Sequence, residues 1–150
     1  MTGMLLEVVA FLAVFCTATF AGAALYITLV EHPTRSQLET RHAALQWAPS
    51  YRRATLMQAP LAIVACLAGL GVAVLGGGAI WFVAAVLIGS VVPLTLIGIA
   101  PTNRRLLAPG RDPGSDETRA LLERWGKLHA VRTVLSLIAV VIMMWQLVAA

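Results

Sequence analysis

The sequence predicts an all-α integral membrane fold, an up-down-up-down bundle of four transmembrane helices with the fourth extended into the cytoplasm. Three observations predict it. Hydrophobic residues make up 59 % of the chain and charged residues 12 %, where a soluble domain carries about 25 % charged; the mean hydropathy is +0.85. The apolar residues also fall into four blocks, at about 4–30, 56–75, 80–100 and 130–149. Each block has the roughly 20 residues a helix needs to cross a hydrocarbon core about 30 Å thick. Finally, the blocks are continuous. In lipid only helices and closed barrels satisfy their backbone, and barrel strands would alternate apolar and polar over about ten residues.

The first block carries Glu7 as its one charge, and that carboxylate is expected at the outer interface. TFAGAA (19–24) offers small residues after an apolar run, but no Lys or Arg precedes it, so a retained helix is expected in place of a cleaved leader. Pro33 cannot continue a hydrogen-bond ladder and restricts its predecessor, which predicts a helix end near His32. SQLETRHAALQWA (36–48) reads as a short interfacial helix, with Trp47 and its basic residues among headgroups. The second block ends at Gly76, Gly77 and Gly78, a turn short enough to make helices two and three antiparallel neighbours. Gly22, Ala65, Gly69 and Gly89 are small enough for close helix approach in lipid. After the third block, Pro109, Gly110, Pro113 and Gly114 predict an irregular turn. Ser115 then stands as an N-cap, with Asp116 and Glu117 where the helix dipole favours negative charge. From there one helix of about 33 residues is expected to run to the C-terminus, its first turns packed over the mouth of the bundle. No linker divides residues 1–150, which read as a single domain.

Charge sets the expected orientation. All eleven Lys and Arg lie in the connections 31–55 and 101–129 or, as Arg132, just inside the fourth block. The positive-inside rule places both connections in the cytoplasm and both termini outside, with a bacterial inner membrane as the expected residence. The sequence pI of 9.8 then reflects topology and the anionic bilayer as partner, and no nucleic-acid motif accompanies it. Cys16 and Cys66 have no ligand spacing and read as small apolar filler.

The topology gathers the chemistry-bearing residues at one membrane face: Tyr26, Glu31 and His32 from helix one, Gln58 from helix two, Asn103 from helix three, and Trp125, His129 and Arg132 from helix four. At 3.6 residues per turn the last three fall within roughly 60° of one another, on the stripe shared by Leu121, Leu122, Leu128 and Ser136. Tyr26 and Trp125 also suit an aromatic belt, His32 a helix end, and Arg104 and Arg105 topology alone. Arg132 resists such a reading, because an ionisable group on an inward face at membrane depth marks function by default. Glu31 is its expected protein partner, with a bound anion as the alternative.

GAALYITLVEHP, PTNRRLL and ERWGKLHAVRTVLSLIA, taken in that order, resemble the anthrone-oxygenase-like family of small four-helix membrane proteins. The Asn103-containing PxNxxL run and the W-x(3)-H-x(2)-R spacing of Trp125, His129 and Arg132 are the most specific pieces. The resemblance implies a cofactor-independent oxygenase that converts an anthrone into an anthraquinone with molecular oxygen. Such chemistry needs a base and fixed donors at a developing oxyanion. His129 or His32 would be the base, and Arg132 and Asn103 would hold the enolate oxygen. Trp125 and Tyr26 would stack on a flat lipophilic ring, with Glu31 and Gln58 completing the binding set; neither cofactor nor metal is called for.

Two other classes stay open on the residues alone. A small transporter or accessory subunit would be a homo-oligomer dependent on Glu7. A bis-histidine haem protein would use His32 and His129. The absence of HExxH, GxSxG, P-loop and GxGxxG patterns removes the common hydrolase and nucleotide-binding classes.

Overall fold

The computed structural model describes residues 2–149. Among them it holds four helices long and apolar enough to cross a membrane: Gly3–Ser36, Thr40–Gly77, Ala79–Leu106 and Asp116–Ala149. Each packs on its neighbours in sequence, and the fourth closes against the first. The protein is thus an integral membrane four-helix bundle, and the expected fold class holds.

Side-chain size is sorted across the bundle in the way lipid demands. Lipid tails are as apolar as a leucine, so large aliphatics gain little by turning inward, while small residues let helices approach. Met4, Val8, Phe11 and Phe15 of the first helix and Leu96 and Ile97 of the third are exposed accordingly. The interior is built on alanine: Ala10, Ala13, Ala24, Ala62, Ala65, Ala84 and Ala139 are buried around Phe20, Trp81, Ile88 and Met143. A Cβ on Gly69 would lie 2.9 Å from that of Ala85, and one on Gly89 would lie 2.6 Å from Cys66 Sγ, so both glycines serve close approach as expected. Gly22 does not. It is exposed, and an added Cβ would meet nothing within 4 Å.

The glycine turn is as tight as the sequence predicts. Gly76 and Gly78 take φ of 106° and 89°, conformations that only glycine adopts without strain. At the other end Ser115 caps the fourth helix, its Oγ accepting from the Thr118 N–H at 3.2 Å, and that helix runs unbroken for 34 residues.

The helix ends at the loop side differ from expectation. The first helix passes Pro33 and reaches Ser36; a wider π-type turn at Ile27–Glu31 immediately precedes the proline. A proline removes one ladder bond and crowds the carbonyl four residues back, and a π turn relieves both demands. The third helix repeats the device, with a π-type turn at Leu94–Ile99 between Pro93 and Pro101, and extends to Leu106. The second helix starts at Thr40, well ahead of residue 56, so residues 40–48 of the expected interfacial helix 36–48 are its opening turns, and Pro49 and Pro60 lie inside it. Trp47 is accordingly buried, not among headgroups. Continuation is favoured because these extra turns bury a second cluster, formed by Ile27, Ala43, Ala44, Trp47, Ile99, Leu106, Leu121, Leu122 and Trp125.

Candidate active site

Between the alanine-rich core and that upper cluster lies a polar layer in which Thr28, Gln58, Asn103, His129, Arg132 and Thr133 meet from all four helices. Spacing on the second helix explains one wall: Trp47, Tyr51, Ala54, Thr55 and Gln58 recur at helical intervals and share a face. The fourth helix supplies the opposite wall as expected, with Trp125 and His129 buried while Glu123, Arg124 and Lys127 face out.

Two hollows open in this layer. The first is a cavity of about 180 Å³ lined by Phe20, Tyr51, Ala59, Ala62, Val91, Val92 and Leu96, with Thr55, Gln58, Thr95, Asn103 and Arg132 as its polar members. Thr55 of the second helix and Leu96 of the third are exposed members of its lining. The π-type turn after Pro93 packs on the fourth helix. Asn103 is 4 % exposed, and neither its Nδ2 nor its Oδ1 has a hydrogen-bond partner in the protein. A buried amide in that condition costs free energy, so it points to a ligand that supplies the partners. Arg132 Nη2 donates to Gln58 Oε1 at 3.1 Å, and its guanidinium carbon lies 5.4 Å from the centre of the Phe20 ring.

The second hollow is a crevice of about 10 Å³ behind the first, sharing Tyr51, Thr55, Gln58 and Arg132 with it and adding Glu31, Arg35, Trp47, Ser50, Trp125 and His129. Its walls are aromatic and close. Trp47 stacks on Tyr51 at 5.0 Å and meets Trp125 edge-on at 5.8 Å, and Trp125 lies 4.9 Å from the His129 ring. His129 is 2 % exposed. Its Nδ1 sits 3.2 Å from Thr28 Oγ1, which is 2.7 Å from Thr133 Oγ1. Thr133 reaches the Ala24 carbonyl at 3.2 Å. With the Thr133 proton donated there, Thr28 donates to Thr133 and accepts from Nδ1–H. This chain assigns the lone pair to Nε2.

The structure unites part of the expected set. Gln58, Asn103 and Arg132 share the cavity, and Glu31, Gln58, Trp125, His129 and Arg132 share the crevice. His32 stands apart, its ring 5.5 Å from Trp125 and packed against Gly126 on the far side. Tyr26 is 58 % exposed and lines an open lipid-side groove of about 620 Å³, together with Glu31, Arg53 and Gln58. Glu7 is exposed.

One pairing is corrected. Glu31 does not hold Arg132; its Oε1 accepts from Arg35 Nη2 and from Ser50 Oγ. The reason is local, because the helical continuation past Pro33 places Arg35 one turn from Glu31. Arg35 is only 3 % exposed, and its Nε donates to Gln46. Arg35, Trp47, Tyr51, Thr28 and Thr133 were not legible as site residues, although Glu31/Arg35 and Trp47/Tyr51 each carry the i,i+4 spacing of helical neighbours.

Comparison with known proteins bears on the same residues. A family model described as anthrone oxygenase matches residues 47–142. That interval holds Gln58, Asn103, Trp125, His129 and Arg132 and excludes Tyr26, Glu31 and His32. The anthrone oxygenase tpcL of Aspergillus fumigatus is 39 % identical over 75 residues, 48 % of this chain and 47 % of the relative. The chain thus aligns with about half the length of the curated relative it matches. No solved structure matches.

Proposed function

Since this chain belongs to the anthrone oxygenase family, we propose that it oxidises a flat lipophilic aromatic substrate, an anthrone or a related quinol-like ring, with molecular oxygen. The reaction is placed where the cavity meets the crevice. One observation carries the reading: the Asn103 amide, buried and unpartnered, lies with Arg132 in a cavity whose other walls are largely apolar. An apolar hollow with a few convergent polar groups is the usual form of a small-molecule site. The exposed lining residues Thr55 and Leu96, on two helices that span the bilayer, suit a substrate that partitions into it.

The chemistry follows from these groups. His129 Nε2 takes a proton from the acidic ring methylene, and Asn103 Nδ2–H and the Arg132 guanidinium donate to the oxygen of the resulting enolate. The carbanion is itself the reductant, so no cofactor enters. Dioxygen adds at that carbon to give a peroxide anion, which recovers the proton from His129. Loss of the remaining C–H proton then cleaves the O–O bond. The balance is one methylene and one dioxygen to one carbonyl and one water. The orientation proposed with this reading puts the loop end, which bears all eleven Lys and Arg, in the cytoplasm.

The test is oxygen uptake by the purified protein in lipid nanodiscs supplied with an anthrone. Arg132→Ala and Asn103→Ala are expected to lower the rate about 10²–10³-fold, the usual cost of losing one oxyanion donor. Undiminished rates in both variants would remove the site, and no uptake on any anthrone would remove the reaction.

A further inference from the structure

The His129 ring is held by hydrogen bonds on one side only. Its Nδ1 lies 3.2 Å from Thr28 Oγ1, and that hydroxyl lies 2.7 Å from Thr133 Oγ1. Thr133 in turn reaches two helix carbonyls, that of Ala24 at 3.2 Å and that of His129 itself at 3.3 Å. The other ring nitrogen, Nε2, has no partner among the described residues, and His129 lines the crevice. Thr28 and Thr133 line neither the crevice nor the cavity. Their hydroxyls therefore act on the ring and not on a ligand.

Proton placement gives the chain a direction. The two hydroxyls and the neutral imidazole carry one proton each to donate. If Thr133 donates to a carbonyl, Thr28 to Thr133 and Nδ1–H to Thr28, all of them are used. In the reverse order Thr133 donates to Thr28 and Thr28 to Nδ1. The imidazole proton then sits on Nε2, where the protein offers no acceptor, and a buried donor without a partner is costly. Residue type makes the hold stiff, because threonine branches at Cβ and Thr133 is also bonded to the carbonyl four residues back. Hydroxyls suit the depth as well. The carboxylate that orients a basic histidine in a catalytic triad would be expensive within a bilayer.

We propose that Thr28 and Thr133 are positioning residues for His129, fixing its Nδ1–H tautomer and leaving Nε2 bare at the crevice. That His129 acts as a base rests on the oxygenase reading above; the hold on its ring does not. The chain ends on amide carbonyls, which accept hydrogen bonds and take no proton, so a proton gained at Nε2 leaves again from Nε2. The proton drawn from the ring methylene thus stays beside the reacting carbon until the peroxide anion takes it back. The first helix thereby serves the reaction through a side chain that touches no substrate.

Nitrogen magnetic resonance of the full chain, isotopically labelled at histidine and held at alkaline pH, reads the tautomer directly. The chain has 3 histidines, and the signals missing from His129→Gln belong to His129. Wild type should show Nδ1 protonated and Nε2 bare. Thr28→Val and Thr133→Val, which keep the side-chain shape and lose the hydroxyl, should show both tautomers, and Thr28→Ser should restore the wild-type pattern. A wild-type Nε2–H form, or a pattern unmoved in both valine variants, would overturn the proposal. In turnover Thr28→Val should lower kcat about tenfold, the worth of one hydrogen bond, with the KM for the anthrone unchanged and most of the rate recovered in Thr28→Ser. Full kcat in both valine variants would overturn the positioning role. Wild-type protein that oxidises no anthrone would overturn the reaction, while the nitrogen spectrum still decides whether the threonines hold the ring.

Discussion

Replacing Asn103 by leucine separates a residue kept for function from one kept for the fold. The side chain is almost entirely buried, and both its amide atoms lack partners in the protein. Each buried unsatisfied polar atom costs about 1–3 kcal/mol. Leucine has similar volume and no polar atom, and Val91, Val92, Leu96 and Ala62, which line the same cavity, are apolar. The gain from Asn103→Leu is set at the low end of that range, about 1 kcal/mol, because leucine does not reproduce the shape of the amide. For a chain of this length that corresponds to a Tm rise of about 2–4 °C. The assay is thermal unfolding in detergent beside oxygen uptake on an anthrone. The expected pair is a higher Tm with turnover reduced about 10²-fold or more. A lowered Tm with turnover intact would mean that Asn103 is bonded in the native fold and idle in the reaction, contrary to the role given it.

Other substitutions report on the supporting structure. His129→Gln should lower turnover about 10²–10⁴-fold, the range of a lost general base, while the circular dichroism of the helices stays unchanged. Glu31→Gln leaves the Arg35 guanidinium buried without its countercharge, and removing one partner of such a pair costs about 3–5 kcal/mol; a loss under 1 kcal/mol in chemical unfolding would contradict the burial of that pair. Gly126→Ala places a Cβ 2.5 Å from His32 Cδ2 and 3.0 Å from its Cε1. Overpacking there should cost about 1–3 kcal/mol, whereas Ala at a free helical position would stabilise by up to about 1 kcal/mol. The sign of the change in Tm decides whether the first and fourth helices touch at that point.

The fold was legible because bilayer physics writes it in block length and charge placement. The four spans, the glycine turn and the Ser115 cap all follow from side-chain type at fixed spacing. Helix ends near proline were not legible. Pro33 read as a break, yet the chain accommodates it behind a wider turn, does the same at Pro101 and takes Pro49 within a helix. The burial that favours continuation, around Trp47 and Trp125, is a tertiary gain. The same error hid half the site. With 31–55 read as a loop, Arg35 carried only topology and Trp47 only headgroup contact. On a continuous helix both turn inward, and Arg35 takes the carboxylate expected for Arg132. The stripe of Trp125, His129 and Arg132 was legible because no proline interrupts the fourth helix and its periodicity carries straight into three dimensions.

The proposed reaction transfers one atom of dioxygen to a bilayer-borne aromatic ring held at Arg132 and Asn103. The most direct measurement supplies the protein in nanodiscs with an anthrone under isotopically labelled dioxygen and weighs the product by mass spectrometry. One labelled oxygen is expected in each product carbonyl formed, at a rate that Arg132→Ala lowers about 10²–10³-fold. Product bearing solvent oxygen, or label incorporated equally well by Arg132→Ala, would contradict it.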